Sequence, residues 1–424
     1  MNCDLIIKGR YVLPMDENLS VIKDGLVAVF GNKISAVGAA AEMKNFESKE
    51  VIDAGNSIIM PGLINTHTHA AMAYFRGLAD DLPFGVWLNE RIWPAEAKYV
   101  NEQFVAQSGE LSCLEMIKSG TTCFNDMYFF GQNIMAEVVA RAGLRALLGV
   151  DLKNPEMSIS QAIELADKYK GNEYIKISLA PHSVYACSGD TLKKVKQAAE
   201  AGNFLVHIHV SESEKEIIDC NKTHNKSPVE YLDELGLLTD KLIAAHSIWL
   251  SDHDLEIYKA RGVKVVHCPV SNMKLTSGVA PLDKMLKLGL TVGLGTDGAA
   301  SNNTLDLFAD MRVCALLHKV THFDPAVVTA RELIQMATIN GAKVMGKEKE
   351  IGSLAAGKRA DIITINLNKP HLTPIYDPYS HLVYCANGAD VEDVIVNGKI
   401  IMRNRQVKTL DEEKILKQAG EFKI

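Results

Sequence analysis

Apolar residues come in short bursts at both ends of the chain, and in the long middle such bursts alternate with helical stretches. Near the start, DLIIKGRYVL, GLVAVFGNKISAVG and VIDAGNSIIM read as strands, with Gly31, Asn32 and Gly55 supplying the turns. Near the end, ADIITINL and VEDVIVNGKIIMRN read the same way, and Asn397-Gly398 is a hairpin signal. The two β-rich ends, residues 1–58 and 357–424, are expected to pair into one small β-sandwich domain that is discontinuous in sequence. Residues 59–356 alternate differently. A run ending at Asn65 is followed by TTCFND, LRALLGV, EYIKISLA, NFLVHIHV, KLIAAHS, GVKVVHC and LTVGLGTD. Amphipathic stretches such as TLKKVKQAAEAG and SPVEYLDELG separate them. Strand–helix alternation predicts a parallel sheet. Eight such units predict an α/β fold, a (β/α)8 TIM barrel.

Composition narrows the function classes. The 424 residues are 47% hydrophobic and 23% charged, the profile of an ordinary globular protein. A formal charge of −7 argues against a protein that tracks nucleic-acid phosphates and against a polybasic membrane anchor. No apolar run reaches the ~18 residues of a membrane span. The segment MNCDLIIKGRYVLP lacks the basic start of a signal peptide, so a cytoplasmic location is expected. The eight cysteines are scattered without a CxxC pair, which excludes a zinc ribbon and a disulfide scaffold. Gly293-x-Gly295-x-x-Gly298 matches a dinucleotide fingerprint, but Asp297 would repel the pyrophosphate that motif cradles.

The ends of the predicted barrel strands are rich in histidine and carboxylate. His67 and His69 are two apart, as are His207 and His209, so each pair shares one side of an extended segment. Glu212 comes three residues after His209, His246 ends the sixth run, and Asp297 ends the eighth. Polar residues at the C-terminal ends of barrel strands read as catalytic, and imidazoles on one side suit a metal that prefers nitrogen ligands. Each residue alone could be a core histidine or a capping acid. Together, on four strand ends, they predict one site at the barrel mouth.

PGLINTHTH, HVSE, the HS of strand six and GTDGAASNN resemble the amidohydrolase superfamily over essentially the whole chain. Within it, FRGLADDLPFGVWLNERIWPAE and TDGAASNN are most similar to the 5′-methylthioadenosine/S-adenosylhomocysteine deaminases. The resemblance implies one divalent metal per subunit, usually zinc, on His67, His69, His209 and Asp297. Three neutral imidazoles and one carboxylate leave a +1 centre that can bring the pKa of a water toward ~7. The implied reaction is hydrolytic deamination of an adenosine-type nucleoside to the inosine-type product and ammonia. Glu212 would carry a proton from the water to N1, with Glu214 as the rival carboxylate. His246 would steady the attacking oxygen, and Asp297 would pass the remaining proton to the leaving amine. Glu96 is implied as the acceptor of two ribose hydroxyls, and His182 as a second nucleoside contact. Trp87 and Trp93 flank Glu96 and could wall the purine or simply pack. His207, one pleat deeper than His209, reads as a barrel-interior histidine.

One departure stands out. Members that take a substrate with an amino-acid tail show an arginine just after strand three, where this chain has Val150 and, further on, Lys153. This favours a 5′-methylthio or 5′-deoxy nucleoside over S-adenosylhomocysteine, unless a neighbouring subunit supplies the arginine. The expected partner is a small nucleoside, with no nucleic acid and no membrane, and the expected assembly is a homo-oligomer, dimer or tetramer. The alternative reading is a deaminase or chlorohydrolase of another heterocycle (guanine, cytosine, a pterin or a triazine) on the same single-metal site. A two-metal centre bridged by Lys176 is disfavoured, because Lys176 lies six residues before the strand-end His182. A nucleobase editor of DNA or RNA would need a P-C-x-x-C zinc signature that is absent.

Overall fold

The computed structural model describes residues 2–424. The eight middle runs form β6 (Leu63–Thr68), β7 (Thr121–Tyr128), β8 (Arg145–Asp151), β9 (Ile175–Ala180), β10 (Val206–Val210), β11 (Leu242–His246), β12 (Lys264–His267) and β13 (Val292–Leu294). They are parallel neighbours in sequence order. The ends meet: Thr66 Oγ1 donates to Leu294 O at 2.9 Å, and the Asp297 N–H donates to His67 O at 3.0 Å. The expected barrel is therefore present and nearly closed, its first and last strands joined by these bonds rather than by a strand pairing.

Closure makes demands on β13. A Cβ on Gly293 would stand 2.7 Å from Thr66 Oγ1, and one on Gly295 would stand 2.9 Å from the His67 Cβ. The fingerprint-like glycines thus let the last strand pass close under the first, which needs no nucleotide.

The terminal strands form a second sheet. β1 (Asn2–Val12), β2 (Ile22–Phe30), β3 (Lys33–Ala39), β4 (Glu47–Asp53) and β5 (Ser57–Pro61) come from the start of the chain. β14 (Ile362–Asn366), β15 (Val391–Val396), β16 (Lys399–Arg403) and β17 (Gln406–Val407) come from its end. The two sets join where β14 runs antiparallel to β5. Asn397 and Gly398 turn β15 into β16 with φ of 54° and 76°, the left-handed pair that this dipeptide supplies cheaply. The buried Arg145, at the foot of β8, is held by Asp361, just before β14, through Nη2 at 3.0 Å from Oδ1. This buried ion pair ties the barrel to the sheet, and its bidentate geometry offsets the cost of desolvation.

The barrel's floor is apolar, with Ile64, Cys123, Leu147, Ile243 and Val266 in one cluster. Polar side chains are thereby left to the mouth. Helices are stopped and started by local chemistry. Ser227 with Glu230 and Thr329 with Glu332 form capping boxes, each satisfying two backbone donors. Among the described residues, no helix is long and apolar enough to cross a membrane.

Candidate active site

Four strand ends converge on one point. β6 carries His67 and His69 past a break in its pairing with β7 between Asn65 and Thr68. β10 carries His209, β11 ends at His246, and Asp297 lies just past β13. His246, Asp297 and Ser211, which lies next to Glu212, take φ of 68°, 62° and 53°. Non-glycine residues avoid this region unless the surroundings hold them there, and such residues cluster at functional sites.

One ligating atom each from His67, His69 and His209 lies within 4.8 Å of the others, and the same holds for His67, His246 and Asp297. Asp297 Oδ1 stands 3.2 Å from both His67 Nε2 and His69 Nε2. Its Oδ2 accepts from Ser271 Oγ at 2.6 Å and Ser301 Oγ at 2.8 Å, which aims Oδ1 at the histidines. Burial opposes ionisation of Asp297, yet its contacts with His67 and His69 hold it well below the usual carboxylate range.

The outward nitrogens fix the tautomers. His69 Nδ1 faces Met127 O, His209 Nδ1 lies 2.7 Å from His182 O, and His246 Nδ1 lies 2.9 Å from Asn272 Oδ1. Carbonyl oxygens only accept, so these nitrogens each carry a proton; the inward Nε2 atoms of His67 and His69 face the Asp297 carboxylate and can give a bound cation their lone pairs. His67 Nε2 is buried with no hydrogen-bond partner. Inward lone pairs around a carboxylate, each backed by an outer acceptor, are the chemistry of a divalent-metal centre. His67, His69, His209 and Asp297 fit that role.

The remaining predicted residues lie around this centre. Glu212 is buried, with Oε1 3.7 Å from His246 Nε2, and burial raises its pKa. Its backbone N–H donates to Glu216 Oε2 at 2.9 Å. His182 sits at the rim with its ring 4.6 Å from that of His209. A π-helical turn, Trp87–Ile92, leads into the helix Trp93–Tyr99 that carries Glu96. Glu96 is buried, and desolvation pushes its carboxyl up to about 7 against the pull of Tyr128 and His69. Trp87 is buried, whereas Trp93 is exposed. Glu214 is exposed on the first turn of its helix, and Lys176 is exposed at the far side of β9, so neither faces the mouth. Val150 is buried at the end of β8, with half-buried Asp151 and exposed Lys153 after it.

Several supporting groups escaped the sequence reading. Ser271 and Asn272 lie 26 residues from their partners Asp297 and His246, with no spacing that would reveal them. Ser301, four residues after Asp297, could have been found as a turn-start hydroxyl. Met127 and His182 contribute backbone carbonyls, which no side-chain pattern announces.

Relatives carry the same architecture. The model of the amidohydrolase family matches residues 58–401. The chain is 44% identical to a 5-methylthioadenosine/S-adenosylhomocysteine deaminase of Thermodesulfovibrio yellowstonii, over 99% of this chain and 98% of that one. It is 47% identical to a 5′-deoxyadenosine deaminase of Methanosarcina mazei, over 98% and 96%. Among solved structures, a zinc-bound adenosine deaminase from Xanthomonas campestris superposes with a TM-score of 0.96 at 35% identity, covering 99% and 98%. With its barrel, its histidine-lined mouth and relatives alike from end to end, the chain belongs to the amidohydrolase family.

Proposed function

We propose that the protein hydrolyses the 6-amino group of adenosine-type nucleosides, giving the inosine-type product and ammonia. The observation that carries this reading is the convergence of His67, His69, His209 and Asp297 beside Glu212 and His246, with the buried acid Glu96 near the same mouth. The names of the relatives supply the substrate class.

A divalent metal, zinc by this reading, would be held by His67, His69, His209 and Asp297 and would supply an acidified water at neutral pH. The protein's own groups do the rest. Glu212 takes a proton from the attacking water and delivers it to purine N1, which makes C6 a better electrophile. Its burial suits the task, because a raised pKa brings a carboxylate closer to the working pH. His246, with its Nδ1 proton committed to Asn272, can turn the Nε2 lone pair toward the attacking water, accept a hydrogen bond from it and so orient its oxygen. Asp297, its Oδ2 held by two serines, accepts the second proton through Oδ1 and passes it to the leaving amine. Glu96 accepts the 2′ and 3′ hydroxyls, and a nearby His182 completes the nucleoside contacts.

The rim after β8 favours a neutral 5′ end. Asp151 and Lys153 both lie near Glu96 with opposite charges, and no arginine follows β8 to pair a substrate carboxylate. We therefore propose that 5′-deoxyadenosine and 5′-methylthioadenosine are handled at least as well as S-adenosylhomocysteine. The test is ammonia release from adenosine, 5′-deoxyadenosine, 5′-methylthioadenosine, S-adenosylhomocysteine, guanine and cytosine. Turnover confined to the free bases would overturn the nucleoside reading. A clear preference for S-adenosylhomocysteine would overturn the rim argument alone.

A further inference from the structure

His207 points into the barrel one layer beneath the mouth and is fully buried. Its Nε2 lies 2.9 Å from His67 Nδ1, with the two rings nearly perpendicular at 89°. His67 itself stands at the centre of the cluster, its ring 4.9 Å from His69, 5.0 Å from His209 and 5.3 Å from His246.

The three neighbouring histidines lean on oxygen acceptors, which leave no choice of tautomer. His67 alone leans on another imidazole, which can accept or donate. If His207 Nε2–H donated, His67 would have to carry its own proton on Nε2, and that nitrogen could not ligate. If His207 Nε2 accepts, His67 Nδ1 keeps the proton and Nε2 offers a lone pair. The second arrangement puts the His207 proton on Nδ1, a buried atom with no partner. A buried, unpartnered donor is unfavourable, so a well-packed apolar residue would serve packing better. The hydrogen bond to His67 is what the imidazole adds.

We infer that His207 is a positioning residue for the metal centre: its Nε2 accepts the His67 Nδ1 proton, sets the plane of that ring and turns His67 Nε2 toward the ion. This rests on the reading that His67, His69, His209 and Asp297 hold a divalent metal. Outer partners of metal-ligating histidines act in this way, orienting the ring and raising its basicity.

Three variants test it. Leucine at 207 removes the acceptor. Glutamine places a carbonyl oxygen near where Nε2 stands. Asparagine is as polar as glutamine but one carbon too short to reach His67. Each stripped protein is titrated with Zn2+ against a chromophoric chelator, and a thermal melt records whether it is folded. His207→Leu and His207→Asn should bind Zn2+ roughly 10–100-fold more weakly than the unaltered protein, the usual loss when an outer partner is removed. His207→Gln should bind close to the unaltered protein. If leucine fails to fold, the glutamine–asparagine contrast decides alone, since a role in packing would not separate their Zn2+ affinities. Equal affinity in asparagine and glutamine, or full affinity in leucine, overturns the inference. Absence of Zn2+ binding by the unaltered protein would instead overturn the metal reading beneath it.

Discussion

The barrel holds two clusters of buried histidines, and they differ in which nitrogens lack partners. At the mouth, every outward Nδ1 has an acceptor while the inward His67 Nε2 has none. Behind β12, His267 and the helix Leu307–His322 form a second group in which His267, Cys314 and His318 also bring ligating atoms within 4.8 Å. There the pattern reverses. His267 Nε2 and His318 Nε2 bond to each other at 3.2 Å, and both outward Nδ1 atoms are unpartnered.

Proton counting explains the difference. Two neutral imidazoles sharing one N–H···N bond leave a single N–H without a partner. If both Nε2 atoms held a metal, both protons would move to Nδ1, leaving two buried donors unsatisfied at about 1–3 kcal/mol each. Burial also raises the Cys314 thiol well above its usual range, whereas a metal needs the thiolate. Proximity alone therefore does not make a metal site. The outer hydrogen bonds decide, and by that criterion the mouth suits a metal and the second cluster is a packed polar pair.

The comparison predicts that damage at the mouth destroys activity while damage behind β12 alters stability. The largest effect is expected from Glu212→Gln, which should retain metal and lower kcat by about 10²–10⁴-fold, the span of general acid–base catalysis. Near-normal turnover would place the proton transfer on another residue.

Next comes the proposed ribose contact. Glu96→Ala should reduce kcat/KM for adenosine-type substrates by roughly 2–4 kcal/mol, the scale of losing hydrogen bonds to a charged acceptor. A 2′,3′-dideoxy substrate lacks those hydroxyls and should lose little more. An equal loss for both substrates would show that Glu96 supports the fold rather than the sugar.

The last effect, on stability rather than on turnover, concerns acid. Burial holds His318 down to about 4 and His267 well below its usual value, so both stay neutral in the folded protein. Below about pH 6.5 the unfolded chain protonates them first, so stability is intact above that pH and is lost as pH falls toward 4. His318→Gln keeps a hydrogen-bonding group but removes one titrating site. In metal-stripped protein, the drop in stability from pH 6.5 to 4 should be smaller in this variant by on the order of 3 kcal/mol, read as a shallower fall in Tm. Activity at neutral pH should be unchanged.

Much of this was legible beforehand because the barrel's demands are strict. Its strands are short apolar runs with sharp ends, and the residues at or just past each end face the mouth. His67, His69, His209, His246 and Asp297 therefore fell into place together. The outer hydrogen bonds were not legible. Asn272 and Ser271 meet their partners only after a strand and a helix have turned back, and Met127 and His182 act through carbonyls that every residue possesses. His207 was visible as a buried histidine, but its bond to His67 spans 140 residues and depends on two strands facing each other across the barrel. Conversely, the buried Cys314 behaves as the scattered cysteine pattern suggested, as a small apolar residue.

The central claim, that the outer acceptors single out the mouth as the metal centre, is tested most directly by metal content. Inductively coupled plasma analysis should find about one equivalent of divalent metal per chain in the unaltered protein. That equivalent should be lost in His209→Ala and retained in full by Cys314→Ser and His318→Gln. A second equivalent that disappears with Cys314→Ser or His318→Gln would contradict the account, as would a single equivalent that survives His209→Ala.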